Sequence, residues 1–519
     1  MLVGIAVYLR VDRDDAAAPV FGAPTRVRDA AFDQELELIR TAEKINDPVE
    51  RCLAYPDPHE FRWDHDQVAQ LCKKWTWRML SWNEIRRALN DNKPQQLDAA
   101  FDSYLLQNYS DPERHGFLTW TYWWMFQSPS KEEREVTQQW VDEDPTSAYA
   151  LAARGIHYSQ AAYDARGSDF ARNTSDEQFT RMRELADMAR ADLEESLKIN
   201  PRLIAAYHGL LRISRLHGSP KERARWVRSA LALDAADPWI YVDWMEDAEP
   251  QWGGSVSKMT EVADLAAGHA KENPTLATLK AFPLCNEGDR LRCKGCEVNV
   301  AKSLDFYKRA GAFGPSSCFI DAAGSVAAAA NDLPTAIRYY SQAVRFGGGA
   351  DSYNYRAQAL RSIGENEWAL RDLDRALAIN PRNTTALYGK GFILASMRRF
   401  SDAESTYLKL LAIDTDHRDA GIALSMLYLD QTSPLLAPEK ARPLVMRLVA
   451  KYPTVAHVWL LKAAIHDIDH DGPSYIQAAE TYLKLVDQSD PSNQTEIAVL
   501  RKNMAIARQL QKSEKQPSR

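Results

Sequence analysis

The sequence predicts an all-α protein built from antiparallel pairs of helices that stack side by side. Three observations support this fold class. Small and aromatic residues recur with a period of 34 residues through 317–414, a period typical of helical-hairpin repeats. The 23 glycines and 25 prolines are too few for a turn-rich all-β chain of 519 residues. Apolar residues (45%) and charged residues (26%) have ordinary globular proportions, which excludes disorder as a description of the whole chain.

The overall charge is mildly acidic. The chain carries 64 basic and 71 acidic side chains, which gives a formal net charge of −7. A domain that binds nucleic acid needs an excess of Lys and Arg to neutralise phosphates. We therefore expect no nucleic-acid partner.

The clearest repeat starts at Ala350. Tyr353, Ala357, Ala369 and Pro381 fall at positions 4, 8, 20 and 32 of this unit. Small residues at positions 8 and 20 let two antiparallel helices approach closely. Proline ends the second helix because it lacks a backbone N–H and restricts the residue before it.

The next unit starts at Thr384 and has Gly391 at position 8, Ala403 at 20 and Tyr407 at 24. This pattern resembles the tetratricopeptide repeat (TPR). The resemblance implies helical hairpins that stack into a solenoid, or superhelix, whose first helices line a concave face. That face is the usual binding surface of the family. Looser matches extend the pattern into two arrays.

Changes in composition divide the chain into six expected segments. Eight of the fourteen tryptophans lie in 31–143. We expect them either to form the core of a helical cap or to form an aromatic surface that binds a ligand. The expected segments are 1–30, an apolar N-terminal segment and linker; 31–143, a Trp-rich helical cap; 144–275, a TPR-like array with inserted loops; 276–316, a Cys-containing connector; 317–491, a TPR array; and 492–519, a capping helix with a disordered tail.

The N-terminal segment is open to two interpretations. Residues 2–9 (LVGIAVYL) are apolar, and Arg10 and Arg13 follow before an Ala/Pro-rich stretch. Eight residues are too short for a membrane span or a complete signal peptide. They form either a packed segment or the end of a signal-anchor whose upstream part is missing from the gene model. The second interpretation predicts a periplasmic protein, or one anchored in the inner membrane and facing the periplasm; a cytoplasmic location is the alternative.

The cysteines either form disulfides in an oxidising compartment or, in several cases, are buried thiols within the helix packing. The predicted disulfide candidates are Cys52, Cys72, Cys285, Cys293 and Cys296, with Cys52–Cys72 as the most natural pair. The C-x-x-C at 293–296 lacks a clear second pair of zinc ligands and a strand-to-helix context for thiol redox chemistry. We expect no metal and no cofactor.

Two short motifs interrupt the upstream array. They are A-R-G-S at 165–168 and W-G-G-S at 252–255. Together with the helices of 145–274, they resemble a bacterial family known only as a domain of unknown function. This resemblance carries no assigned activity. Glycines in such motifs permit positive φ angles and close backbone approach. The motifs are either two tight turns that dock a loop or the walls of a pocket between Arg166 and Trp252.

The predicted concave face of the best two units provides candidate binding residues. Asn354, Gln358, Tyr388 and Phe392 occupy inward-pointing positions of the first helices. A face that is polar at one end and aromatic at the other suits an extended peptide or a partner helix.

These features predict a non-catalytic interaction scaffold or adaptor of the bacterial envelope with a protein or peptide partner. One alternative is an immunity or inhibitor protein that neutralises a secreted toxin. An alternative of a different class is a thiol or zinc enzyme centred on Cys293 and Cys296.

Overall fold

The computed structural model describes residues 29–167, 173–292 and 299–514. These residues form α-helices and short 3-10 helices, and no β-strand occurs among them. The prediction of an all-α protein of TPR-like helical hairpins is confirmed. The chain divides into two compact units. The amino-terminal unit comprises Asp29–Ala330 and Ser341–Gly347, and the carboxy-terminal unit comprises Asn331–Tyr340 and the described residues from Gly348 onward.

The amino-terminal unit contains sixteen complete α-helices among its described residues. They are α1 (Ala30–Glu43), α2 (Pro48–Ala54), α3 (His65–Lys73), α4 (Trp82–Asn90), α5 (Pro94–Ser110), α6 (Phe117–Phe126), α7 (Lys131–Glu143), α8 (Ala148–Arg166), α9 (Asp176–Ile199), α10 (Ile204–Leu216), α11 (Pro220–Leu233), α12 (Pro238–Asp247), α13 (Val256–Ala267), α14 (Phe282–Arg290), α15 (Val300–Gly311) and α16 (Ser317–Ala329). Short 3-10 helices span Lys74–Thr76, Pro250–Trp252 and Pro274–Ala281. Helix α17 (Leu333–Arg345) is divided between the two units.

One apolar core runs through most of the helices of the amino-terminal unit. It extends from Trp77 to Ile240 and joins α4–α7 to the hairpins α8–α9 and α10–α11. Phe101 lies at its centre, with the ring of Tyr122 at 4.9 Å and that of Trp140 at 5.3 Å. The Trp-rich helices and the first hairpins therefore share a single core.

The first residues of this unit pack against its last ones. The Trp63 Nε1–H donates to the Gly311 carbonyl at 2.8 Å. The buried Arg345 guanidinium donates to the Cys52 carbonyl at 2.8 Å and forms an ion pair with Asp57 at 2.6 Å. A disulfide between Cys52 and Cys72 joins α2 to α3 within this segment. The unit is thus held together by contacts between residues nearly 300 positions apart in the sequence.

The carboxy-terminal unit is a series of antiparallel hairpins followed by one long helix. Its elements are α18 (Ala350–Ser362), α19 (Asn366–Ile379), α20 (Thr384–Ser396), α21 (Phe400–Ile413), α22 (Arg418–Leu429), α23 (Pro438–Lys451), α24 (Ala456–Ile468), α25 (Gly472–Leu485) and α26 (Gln494–Glu514), with a 3-10 helix at Pro491–Asn493. Each first helix packs on the second helix of its own hairpin, and α18, α20, α22 and α24 contact one another in sequence order.

The register predicted from the repeat agrees with the helix bounds. Helices α18 and α20 begin at Ala350 and Thr384, the two predicted starts, and α19 ends at Ile379, two residues before Pro381. The side chain of Ala357 is fully buried where the hairpin α18–α19 closes.

A buried ion pair also closes the hairpin α18–α19. The Arg356 guanidinium makes two hydrogen bonds to the Asp372 carboxylate, at 2.7 and 2.8 Å. Neither side chain is exposed to solvent. Because both charges are fully paired, this ion pair has a structural role in the hairpin and leaves no charged group to bind a ligand.

Gly391 provides a test of hairpin closure. A Cβ at Gly391 would lie 2.6 Å from Cε1 of Tyr407, so we expect Gly391→Ala to cost about 1–3 kcal/mol of unfolding free energy through overpacking. The matched control is Gly389→Ala in the same helix, where the Cβ would meet Leu373 at an ordinary 3.6 Å. This control should gain up to about 1 kcal/mol from helix propensity. Urea unfolding followed by circular dichroism measures both, and equal changes would contradict the close packing.

Candidate functional site

The inner face of the carboxy-terminal unit is formed by its first helices. Gln358 on α18 and Tyr388 and Phe392 on α20 are half-buried there. Asn354, the fourth predicted residue, is only 2% exposed, and its Oδ1 atom has no hydrogen-bond partner. Asn354 therefore lies deeper than a residue on an open groove surface.

An aromatic cluster surrounds Tyr388. The centre of its ring lies 6.5 Å from that of Phe392, 6.3 Å from that of Tyr407 and 5.9 Å from the imidazole of His417. The Tyr388 and His417 rings stack, with an angle of 27° between their planes. The Arg361 guanidinium of α18 lies 4.9 Å from the centre of the Phe392 ring. Three successive hairpins thus contribute to one cluster.

The Tyr388 phenol keeps its proton at physiological pH. Burial, together with the nearby Asp419 carboxylate, raises the pKa of Tyr388 to about 12, although Arg361 and Arg418 act in the opposite direction. The hydroxyl can therefore donate and accept hydrogen bonds. The cluster offers apolar ring faces, a guanidinium and a neutral hydroxyl, a combination that suits a peptide.

The two motif segments of the amino-terminal unit meet. The Arg166 guanidinium, at the end of α8, lies 5.4 Å from the centre of the Trp252 ring. Gly167 and Gly253 have φ angles of +74° and +85°, in the region that favours glycine. A Cβ at Gly254 would lie 1.9 Å from the Ala248 carbonyl oxygen. Backbone geometry thus explains these glycines, while Arg166 and Trp252 form a cation–π contact.

A carboxylate cluster precedes the second motif. Arg215 on α10 bonds Asp247 at 2.6 Å and Glu246 at 2.5 Å, and its Nη2 lies 3.4 Å from an Asp243 carboxylate oxygen. The His208 Nε2 lies 2.8 Å from the other oxygen of Asp243. All three acidic residues belong to the last turns of α12. The spacing of residues in the sequence does not indicate this cluster, because its cation and its carboxylates come from different hairpins.

Glu249 extends the cluster into the W-G-G-S turn. Its carboxylate accepts a hydrogen bond from Gln251 Nε2 at 2.6 Å. Burial and the negative charge of Glu246 raise the pKa of Glu249 to about 7, although Arg215 and the side-chain amides of Asn286 and Gln251 lower it. The carboxyl group is therefore divided between its protonated and ionised forms at neutral pH.

The described cysteines form two disulfides. One joins Cys52 to Cys72, the pair that the sequence favoured. The other joins Cys285 to Cys318, a cysteine that was absent from the predicted candidates. The spacing missed this pair because Cys318 belongs to the next hairpin, 33 residues away. Cys293 and Cys296 lie outside the described residues.

Within 29–167, 173–292 and 299–514, no group of three His, Cys, Asp or Glu side chains is arranged to hold a metal ion. None of the helices in these ranges combines the length and the apolar character needed to cross a bilayer.

Residues 81–224 match a domain of unknown function designated DUF4034. The match includes the A-R-G-S segment and ends before the W-G-G-S segment. The chain is also 39% identical over 87 residues to tetratricopeptide repeat protein 36 of Bos taurus, a stretch that is 16% of this chain and 46% of that protein. The chain thus spans about half the length of this curated relative.

Several solved structures match parts of the chain at low identity. YrrB, described as a TPR protein with an unusual peptide-binding site, is 23% identical over 40% of this chain and 99% of its own, with a TM-score of 0.31. The Cut9–Hcn1 complex is 11% identical, covering 86% and 99%, with a TM-score of 0.34. Yeast Tom70 is 12% identical, covering 84% and 96%, with a TM-score of 0.35. These scores are low, so we base the fold class on the hairpins of this chain.

The raised pKa of Glu249 makes stability depend on pH. The folded state binds this proton more tightly than the unfolded state, so its contribution favours folding at low pH and is lost as the pH rises from about 4.5 to about 7. Glu249→Gln should therefore increase the unfolding free energy by about 1–3 kcal/mol at pH 8 and by much less at pH 4. Urea unfolding at the two pH values measures the difference. Glu261→Gln, on the exposed side of α13, is the control and should show no such gain.

Proposed function

We propose that the protein is a non-catalytic interaction protein that holds a peptide segment of a partner protein against the inner face of its carboxy-terminal unit. The observation that carries this proposal is the aromatic cluster of Tyr388, Phe392 and His417 with Arg361. It is assembled from α18, from α20 and from the residue that caps α22. A cluster made by successive hairpins provides a continuous surface along the array.

The chemistry of the cluster fits polypeptide recognition. Tyrosine and arginine are enriched among the residues that dominate protein interfaces, because each combines a large contact area with hydrogen bonding. The rings of Tyr388 and His417 support each other by stacking, so little side-chain freedom is left to lose when a partner binds. Gln358, one turn before Arg361, can donate to and accept from a peptide backbone.

We also propose that the protein acts in an oxidising compartment, on the periplasmic side of a bacterial envelope, either free or held by an N-terminal anchor. The two disulfides support this location, since such bonds persist mainly outside the cytoplasm.

The enzyme alternative receives less support. A zinc site that used Cys285 together with the C-x-x-C would require a free thiolate at Cys285, and this cysteine is bonded to Cys318. The contact between Arg166 and Trp252 also favours a binding role over catalysis. Neither side chain can act as a nucleophile or as a general base.

The groove proposal is tested by the double substitution Tyr388→Ala/Phe392→Ala. The immobilised full chain is exposed to envelope extract, and retained proteins are quantified by mass spectrometry. We expect the captured amount of the main partner to fall at least about tenfold, because truncating the few anchors that dominate an interface costs about 2 kcal/mol or more. The control is Leu408→Ala, which truncates a 49% exposed side chain on the second helix α21. Equal retention by the wild type, the control and the double variant would contradict this groove.

The compartment proposal is tested by mapping the disulfides in protein purified from its native source. Alkylation before digestion without reductant should yield peptides that link Cys52 to Cys72 and Cys285 to Cys318. The same digest after reduction provides the control. Alkylated thiols at all four positions would contradict an oxidising location.

A further inference from the structure

We propose that the amino-terminal unit binds an acidic carbohydrate, whose sugar ring stacks on a group of tryptophans and whose carboxylate pairs with the ammonium group of Lys74. The inference goes beyond the proposed function, because it concerns the other unit of the chain and another class of ligand. The tryptophans form one group of neighbouring rings, the indole cluster, which comprises Trp77, Trp120, Trp123, Trp124 and Trp239.

The indole cluster is built around one face of α6. Positions 120, 123 and 124 are three and four residues apart, so these three rings lie on the same side of the helix. The centre of the Trp120 ring lies 5.6 Å from that of Trp77 and 5.8 Å from that of Trp124, and the planes of Trp120 and Trp124 differ by 20°. Trp123 stacks on Trp239, at the start of α12, with 6.1 Å between the ring centres.

The indole cluster is not a closed core. Trp124 is 50% exposed although it stacks on Trp120, so part of its ring surface is open to solvent. Trp120, Trp123 and Trp239 are half-buried, and only Trp77 is buried. Adjacent apolar side chains that remain open to solvent are typical of binding surfaces.

Lys74 is the observation that points to an acidic ligand. Its Nζ atom lies 5.8 Å from the centre of the Trp77 ring and 5.5 Å from that of Trp239, and it makes no hydrogen bond or ion pair within the described part of the chain. The residue is half-buried, so a ligand can reach its side chain from solvent. Burial lowers the pKa of Lys74 to about 8, although Asp237 acts in the opposite direction. A charge that has lost hydration without gaining a partner is stabilised by an anion.

Asp237 acts on Lys74 but does not pair with it. Its carboxylate caps α12 and accepts hydrogen bonds from Thr119 Oγ1 at 2.6 Å and from the backbone N–H of Trp239 at 2.9 Å. Burial and the neighbouring Asp234 carboxylate raise the pKa of Asp237, which weakens its negative charge at neutral pH. The ammonium group of Lys74 therefore remains available to a carboxylate on a ligand.

The packing of α6 against the start of α12 positions the rings before any ligand arrives. Gly116, the N-cap residue of α6, has a φ angle of +75°. A Cβ at this position would lie 2.8 Å from Asp237 Oδ1 and 3.0 Å from Trp239 Cδ1. Glycine thus permits the close approach that brings Trp239 beside Trp123. Rings that are already packed in this way lose little freedom when a ligand binds.

A sugar ring fits the indole cluster better than a membrane or a peptide does. The C–H groups on the face of a sugar ring carry a small positive charge, which is attracted to the negative face of an indole. Rings that anchor a protein at a bilayer interface must project into the headgroups, whereas four of these five are buried or half-buried. The acidic side chains of a peptide, Asp and Glu, offer a carboxylate without a ring to cover the indoles.

The ligand is tested by adding oligosaccharides to the full chain and following tryptophan fluorescence and heat. The acidic probes are trigalacturonate and the disaccharide of N-acetylglucosamine and N-acetylmuramic acid. Their neutral controls are the methyl ester of trigalacturonate and diacetylchitobiose. At least one acidic probe should bind saturably, and its neutral control should bind at least about tenfold more weakly because it lacks the charge. Acetyl-Gly-Glu-Gly amide and phosphatidylglycerol vesicles test a peptide and a membrane as ligands, and neither should bind saturably.

Substitutions locate the site on the chain. Lys74→Gln should weaken binding of the acidic probe about tenfold and leave the neutral control unchanged, so that removing both charges costs no more than removing one. Trp124→Ala should weaken binding of the acidic and the neutral probe alike, by about fivefold or more, because it removes a stacking surface. The matched control Leu106→Ala truncates a 62% exposed side chain on α5 and should change neither affinity. Thermal unfolding checks that each variant is folded.

Several outcomes would overturn the proposal. They are the absence of saturable binding of both acidic probes, equal binding of the acidic probes and their neutral controls, and unchanged affinity in folded Lys74→Gln or Trp124→Ala. Tighter binding of the glutamate peptide or of the vesicles would also overturn it, in favour of a peptide or a membrane as the ligand.

Discussion

The close approach of the two helices within each hairpin is the constraint on which the rest of the structure depends. At Gly155 and Gly391, a glycine on the first helix faces a large side chain on the second, so that no Cβ stands between the two helices. A Cβ at Gly391 would lie 2.6 Å from Tyr407, and one at Gly155 would lie 2.7 Å from Leu193. Because the same exclusion operates in both units, it explains why small residues recur at a fixed period and why the large partner side chains are buried.

Hairpin closure also positions the candidate groove. Tyr407 is the ring that fills the space left by Gly391, and the centre of its ring also lies 6.3 Å from that of Tyr388. The groove residue Tyr388 thus rests on a side chain whose place is determined by the packing of its own hairpin. His417 then covers Tyr388 from the start of the next hairpin. The surface that we propose for binding is therefore a consequence of the same packing that stabilises the array.

The sequence predicted which face of a helix a side chain lies on better than it predicted how buried that side chain is or which residues of other hairpins it contacts. Periodicity alone located the starts of α18 and α20, because close packing within each hairpin requires small residues at the same positions of every repeat. Periodicity also placed Asn354 on the inner face, but this residue is buried. The position of a residue in a helix specifies the direction of its side chain around the helix axis. It does not specify how far the neighbouring side chains cover that residue. Arg215 and Cys318 were missed for a related reason, because their partners lie on other hairpins and carry no periodic signal.

The polar residues Arg356 and Asp372 differ from Glu249 and Asn286 in how completely their charges and hydrogen bonds are satisfied. Arg356 and Asp372 are both fully buried, and two hydrogen bonds pair their charges completely, so nothing remains for a ligand to satisfy. Glu249 is half-buried and has a raised pKa, and the buried Asn286 has an Oδ1 atom without a hydrogen-bond partner. A packed repeat protein could have relieved both costs by substitution to apolar residues. Polar groups that lower the stability of the folded state are expected at functional positions rather than in a purely structural core.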